Sequence, residues 1–154
     1  MHIVECDPDV ILVSSLASIP KRRVQHSNGK HAVLRKLTKK RNDSIGMIDQ
    51  DPLSVQPTAY LQKFNVLEHS RVNKLITLHY AKRNNRLIIL CPRLEEWIIG
   101  ASREANISLK KYNLSSHPSR LHAIINFRLN RFQELVEDLE QKSNRVRALK
   151  TKLI

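Results

Sequence analysis

The feature that most constrains the fold is an alternation of apolar periods over residues 2–51. "HIVEC" at 2–6 is a short apolar run of strand type. "DPDVILVSSLAS" follows as a helix, with Asp7 suited to the N-cap and Pro8 to the first helical position. "IPKRRVQHS" gives a turn and then a strand around Val24–His26, broken by Asn28-Gly29. "KHAVLRKLTKK" places Val33, Leu34 and Leu37 on one helical face and Lys30, Arg35, Lys36, Lys39 and Lys40 elsewhere. "SIGMID" is a third strand, closed by Asp51-Pro52. Helical crossovers of this length join parallel strands, so this third of the chain predicts a parallel sheet with helices packed on it.

The rest extends the pattern. Residues 51–73 read as an irregular surface segment. "KLITLHYA" and "RLIILCP" read as two more strands, joined by "KRNN" as an antiparallel pair. "RLEEWIIGASREA" is a helix, with Trp97 on its apolar side. From Pro118 onward three apolar stripes (Leu121, Ile124, Ile125; Phe132, Leu135, Val136, Leu139; Val146, Leu149, Leu153) make a helical tail. The expectation is an α/β fold: a mainly parallel central sheet flanked by helices over 2–106, and a C-terminal helical segment, 107–154, packed on the same domain.

Composition narrows the function. Lys and Arg number 27 against 14 Asp and Glu, a formal net charge of +13, which favours a polyanionic partner, nucleic acid first. Lys21, Arg22, Arg23, Arg35, Lys36, Lys39 and Lys40 are concentrated in one stretch, with Arg41 beside them, and are the candidate phosphate contacts; an ordinary solvated helix face is the alternative. Cys6 and Cys91 sit in apolar runs with no Cys-x-x-Cys pattern, which fits a reducing compartment and disfavours zinc. "MHIVECDPD" turns acidic where a signal peptide would be apolar, and no 18-residue apolar run exists. A cytoplasmic protein that does not enter a membrane is expected.

Against this basic background, the carboxylates stand out. Glu5 closes the first strand, and Asp49 and Asp51 close the third. In an open α/β sheet, functional groups gather at the carboxyl ends of the strands. In an extended segment, residues two apart point the same way, so Asp49 and Asp51 can face one cation together with Glu5. Oxygen-only donors suit a hard divalent ion, Mg²⁺ or Mn²⁺. Asp7 and Asp9 add negative charge at the start of the following helix, where a capping role is the simpler reading of Asp7. Lys30 opens a helix at the end of the second strand, within reach of a phosphate at this site or simply solvated.

The ordered set Glu5-Cys6-Asp7-Pro8-Asp9 and Asp49-Gln50-Asp51 resembles the Toprim domain of topoisomerases, bacterial primases, the ribonuclease that matures 5S RNA and the overcoming-lysogenization-defect nucleases. Cys6 stands where the family usually has glycine, and no glycine follows Asp51. "PRLEEWII" is similar to a later segment of such nucleases and, by that resemblance, adds Glu95 to the metal set of Glu5, Asp9, Asp49 and Asp51. The resemblance spans about residues 2–100. It implies a Mg²⁺-dependent (or Mn²⁺-dependent) nuclease with Glu5, Asp49, Asp51 and Lys30 as catalytic groups, working in a phage-defence or mobile-element system. Two other functions stay open: a non-catalytic Toprim-like subunit that binds nucleic acid or a partner protein, and a basic binding module whose acids are structural.

Overall fold

The computed structural model describes residues 1–154. The strands are β1 (His2–Val4), β2 (Val24–His26), β3 (Ile45–Asp49), β4 (Asn65–Ser70), β5 (Leu75–Tyr80) and β6 (Asn85–Leu90). The helices are α1 (Asp7–Ala17), α2 (Lys30–Lys39), α3 (Thr58–Leu61), α4 (Leu94–Glu104), α5 (Pro118–Ile124), α6 (Leu129–Lys142) and α7 (Asn144–Leu153). One six-stranded sheet has the order β2-β1-β3-β6-β5-β4. The four strands from β2 to β6 are parallel, and β5 and β4 add antiparallel. The helical crossovers α1 and α2 link the first three strands, and the mainly parallel α/β architecture follows from them.

Strand alternation divides the core into two layers. Val4, Met47, Ile88 and Leu90 face a cluster of 27 buried residues that includes α1, α4, α6 and α7. Ile3, Ile48, Leu87 and Ile89 face a cluster of 10 with Val33, Leu34 and Leu37 of α2. The larger layer therefore depends on the C-terminal helices as much as on α1. Trp97 is fully buried in it and donates its indole N–H to Asn73 O at 2.9 Å. Arg145 of α7 lies across the Trp97 ring, donates to Trp97 O at 3.1 Å and pairs with Glu104.

Two local expectations are corrected. Residues 51–73 are not an irregular segment throughout, because α3 and β4 lie within them. β4 shows no apolar alternation because five of its six residues are exposed; backbone pairing to β5 holds it at the end of the sheet, with an ion pair from Glu68 to Lys152 of α7 at 2.6 Å. A register shift between Val66 and Glu68 leaves Leu67 as an extra, unpaired residue. At α1 the N-cap is Cys6, with no side-chain cap, and Asp7 is instead the first helical residue, 3.2 Å from His26 Nδ1.

Candidate functional site

Glu5 follows β1 directly, and Asp49 ends β3, so the parallel pairing of these neighbours brings both to the carboxyl edge. Glu5 Oε2 accepts the Asp49 backbone N–H at 2.7 Å. Asp49 Oδ1 accepts the Leu94 N–H at 3.1 Å, in the first turn of α4, where the helix dipole favours a carboxylate. The two side chains thus tie β1 to β3 and β3 to α4, each through one oxygen.

Asp9, in the first turn of α1, is buried at 2% exposure. Its Oδ2 accepts the Cys6 thiol at 3.2 Å, while Oδ1 has no hydrogen-bond partner. Burial raises its pKa to about 7, with the Glu5 charge adding and the Cys6 thiol and the nearby Glu5 and Cys6 amides opposing. Asp49 rises to about 9, first from burial and then from the charges of Asp9 and Glu5, with Glu95 contributing further. Glu5 is raised by burial, against the Asp49 N–H and the Lys30 charge. The Cys6 thiol is pushed up by the same burial and by Asp9, so it is not a nucleophile at neutral pH. Three carboxyl groups therefore share a poorly solvated pocket in which their full ionisation is unfavourable.

Lys30, the first residue of α2, is 8% exposed and donates to Gln50 O at 2.8 Å, which places its ammonium beside the carboxylates rather than in open solvent. Asp51 departs from the expected geometry. β3 ends at Asp49, and Asp51 has a left-handed backbone, φ 43°, so the strand alternation that would align it with Asp49 does not reach it. The turn is fixed by the Asp51 N–H to Pro92 O at 2.7 Å and by Gln56 Nε2 to Asp51 O at 2.8 Å. Its charge still reaches Glu5, whose pKa it raises.

Glu95 lies in the first turn of α4 but points to His122 of α5, with Oε1 2.7 Å from Nδ1. This pairing across 27 residues has no sequence signal, and it engages the glutamate assigned to the metal by resemblance. The Cys6–Asp9 contact joins the N-cap residue of α1 to the third residue of the helix, side chain to side chain.

The basic stretch does not form one track beside the acids. Lys21, Arg22 and Arg23 make a 3₁₀ turn that leads into β2, so they sit at the amino edge of the sheet, opposite Glu5 and Asp49. Helix α1 has carried the chain back across the sheet before they occur. Arg35, Lys39 and Lys40 are exposed along or just after α2, and Lys36 donates to Ser27 Oγ at 2.6 Å. Burial lowers the Lys36 pKa, followed by the charges of Lys40, Arg41 and Arg35.

No three His, Cys, Asp or Glu side chains are arranged to hold a metal ion together. Mg²⁺ commonly takes only one or two protein carboxylates and completes its shell with water and substrate phosphate. Glu5 and Asp49 each keep one carboxylate oxygen outside the backbone bonds, and Asp9 Oδ1 is orphaned, so the donor chemistry fits a hard cation. No helix is long and apolar enough to cross a membrane. Compared with known proteins, the chain matches no family model, no curated protein and no solved structure.

Proposed function

We propose that this protein is a Toprim-type, Mg²⁺-dependent nuclease that hydrolyses phosphodiester bonds in DNA or RNA, acting in a phage-defence or mobile-element system. The observation that carries this reading is the group of Glu5, Asp9 and Asp49 at the carboxyl edge, each resisting ionisation, with Lys30 beside them. Backbone bonds engage one oxygen each of Glu5 and Asp49, but they do not account for a third, buried carboxyl group, Asp9, whose Oδ1 has no partner. Asp49 and Glu5 would hold the cation, with Asp51 in the adjoining turn and Asp9 behind them. When bound, the cation would neutralise charge on the phosphoryl oxygens. Lys30 would place a further positive charge against the phosphate, while Gln50 O fixes its ammonium. Glu5, with Oε1 free of the backbone bond, would serve either as a ligand of the cation or as the group that takes a proton from the attacking water.

Supercoiled plasmid and structured RNA, each incubated with millimolar Mg²⁺ or Mn²⁺, test this. Cleavage should occur in the wild type and be lost in Asp49→Asn and in Glu5→Gln. A second reading, a non-catalytic Toprim-like subunit that binds nucleic acid or a partner protein, is favoured by one observation: Glu5 and Asp49 are already engaged by backbone amides that join β1, β3 and α4. Absence of cleavage with either metal, in protein that still binds nucleic acid, would select it.

A further inference from the structure

Arg22, Arg23 and Arg41 line one cavity of about 560 Å³ at the amino edge of β1 and β2, together with His2 and Gln25. No carboxylate lines it, and none of the three guanidinium groups takes part in an ion pair with an acid elsewhere. Nor do they serve the helix ends beside them. At the end of α1, Ser14 O and Ser15 O accept from the Ile19 and Ser18 backbone N–H groups, and the Ser14 hydroxyl serves Ile19 O. At the end of α2, Lys36 O accepts from the Lys40 and Arg41 backbone N–H groups. None of the three arginine side chains donates to a helix-end carbonyl, so capping, an ordinary reason for cations at helix C-termini, does not account for them.

Three like charges held around one cavity repel, and their planar donor forks meet solvent and no protein acceptor. A second observation lies in the same wall. Gln25 of β2 keeps a buried Oε1 with no hydrogen-bond partner. Its Nε2 is not buried and has no protein acceptor, so the amide keeps a free donor. The cavity is within the size range of small-molecule sites, larger than a single ion requires.

We propose that this amino-edge cavity is a phosphate-binding site, separate from the carboxylates, in which Arg22, Arg23 and Arg41 clamp phosphate oxygens and Gln25 contributes an amide donor. The phosphates are those of a nucleic-acid backbone or of a free phosphorylated small molecule. The site lies across the sheet from Glu5 and Asp49, so its occupancy does not depend on the nuclease reading.

The test is fluorescence anisotropy of labelled oligothymidylate in EDTA, with inorganic pyrophosphate titrated alone by calorimetry. Arg23→Glu and Arg41→Glu are compared with Arg71→Glu, which makes the same charge change on the exposed turn between β4 and β5 at the other end of the sheet. Each cavity variant should weaken binding by at least about tenfold, and the salt slope should fall by about one unit per lost phosphate contact. Arg71→Glu should bind as wild type does. Oligothymidylate binding that the cavity variants abolish identifies a nucleic-acid backbone; pyrophosphate binding alone, equally sensitive, identifies a free phosphorylated ligand. The proposal is overturned if neither probe binds, if the cavity variants bind as wild type does, or if Arg71→Glu weakens binding as much as they do.

Discussion

Asp9 holds a carboxyl group inside the protein with a thiol on one oxygen and nothing on the other. Unfolded, such a group titrates near pH 4. Folded, Asp9 titrates at about 7 and Asp49 at about 9, so both bind their protons more tightly in the native chain. Stability is then fullest below the unfolded pKa and declines as pH rises through the folded values. In EDTA, the melting temperature should fall between about pH 5 and about pH 9, and Asp49→Asn should flatten the alkaline part of that fall. Asparagine keeps the Oδ1 that accepts from Leu94, so the variant should melt no lower than wild type at about pH 8. Millimolar Mg²⁺ or Mn²⁺ should raise the wild-type melting temperature and leave Asp49→Asn nearly unmoved. A wild type indifferent to metal would mean that the acids serve only as acceptors for the backbone. Glu5 and Asp49 were legible because a strand end fixes where a residue sits. Asp51 was not, because a single left-handed residue takes it out of the strand's alternation, and nothing in Asp51-Pro52 announces that conformation.

At the scale of elements, the packing of α2 on β3 turns on Gly46. A Cβ built there would lie 2.5 Å from Leu37 Cδ1 and 3.1 Å from Val33 Cγ1, both of α2. Gly46→Ala should push α2 away from the sheet and cost about 1–3 kcal/mol, read by urea denaturation. Because Lys30 starts the same helix, that variant should also loosen the Lys30 contact to Gln50. On the opposite layer, Arg145 joins α7 to α4 through Trp97 O and Glu104. Arg145→Ala removes the second donor to Trp97 O, the Glu104 pair and the cover over the Trp97 ring, and should cost about 1–3 kcal/mol by the same measurement. The crossover elements could be read from sequence because each carries its own period and its own breakers. The α4–α5 contact between Glu95 and His122 could not, since it depends on where two helices land after a connection with no period of its own.

For the molecule as a whole, the larger core layer has no natural division at residue 106. Phe132, Leu135, Leu139, Val146 and Leu149 are fully buried in the same cluster as Leu12, Leu16 and Trp97. A chain ending at 106 would expose one face of the sheet, and its thermal unfolding should lose the cooperative transition of the full chain. Charge is also divided across the sheet, with carboxylates at the carboxyl edge and unpaired arginines at the amino edge of β1 and β2. Each crossover reverses the chain and sends motifs that are neighbours in sequence to opposite edges.

The extra residue in β4 bears on solubility. An outermost strand offers free amides and carbonyls to any other strand, and Val66 and Leu67 are 66% and 58% exposed there. Leu67 interrupts that row, and such a bulge bends and twists an edge away from a flat template. Deleting Leu67 would retain every residue pair with β5 while making the row continuous. The shortened protein should keep its melting temperature to within a few degrees but self-associate, seen as concentration-dependent species in sedimentation velocity and, on standing, as cross-β aggregate. In this view the inserted leucine keeps the molecule from polymerising through its own sheet.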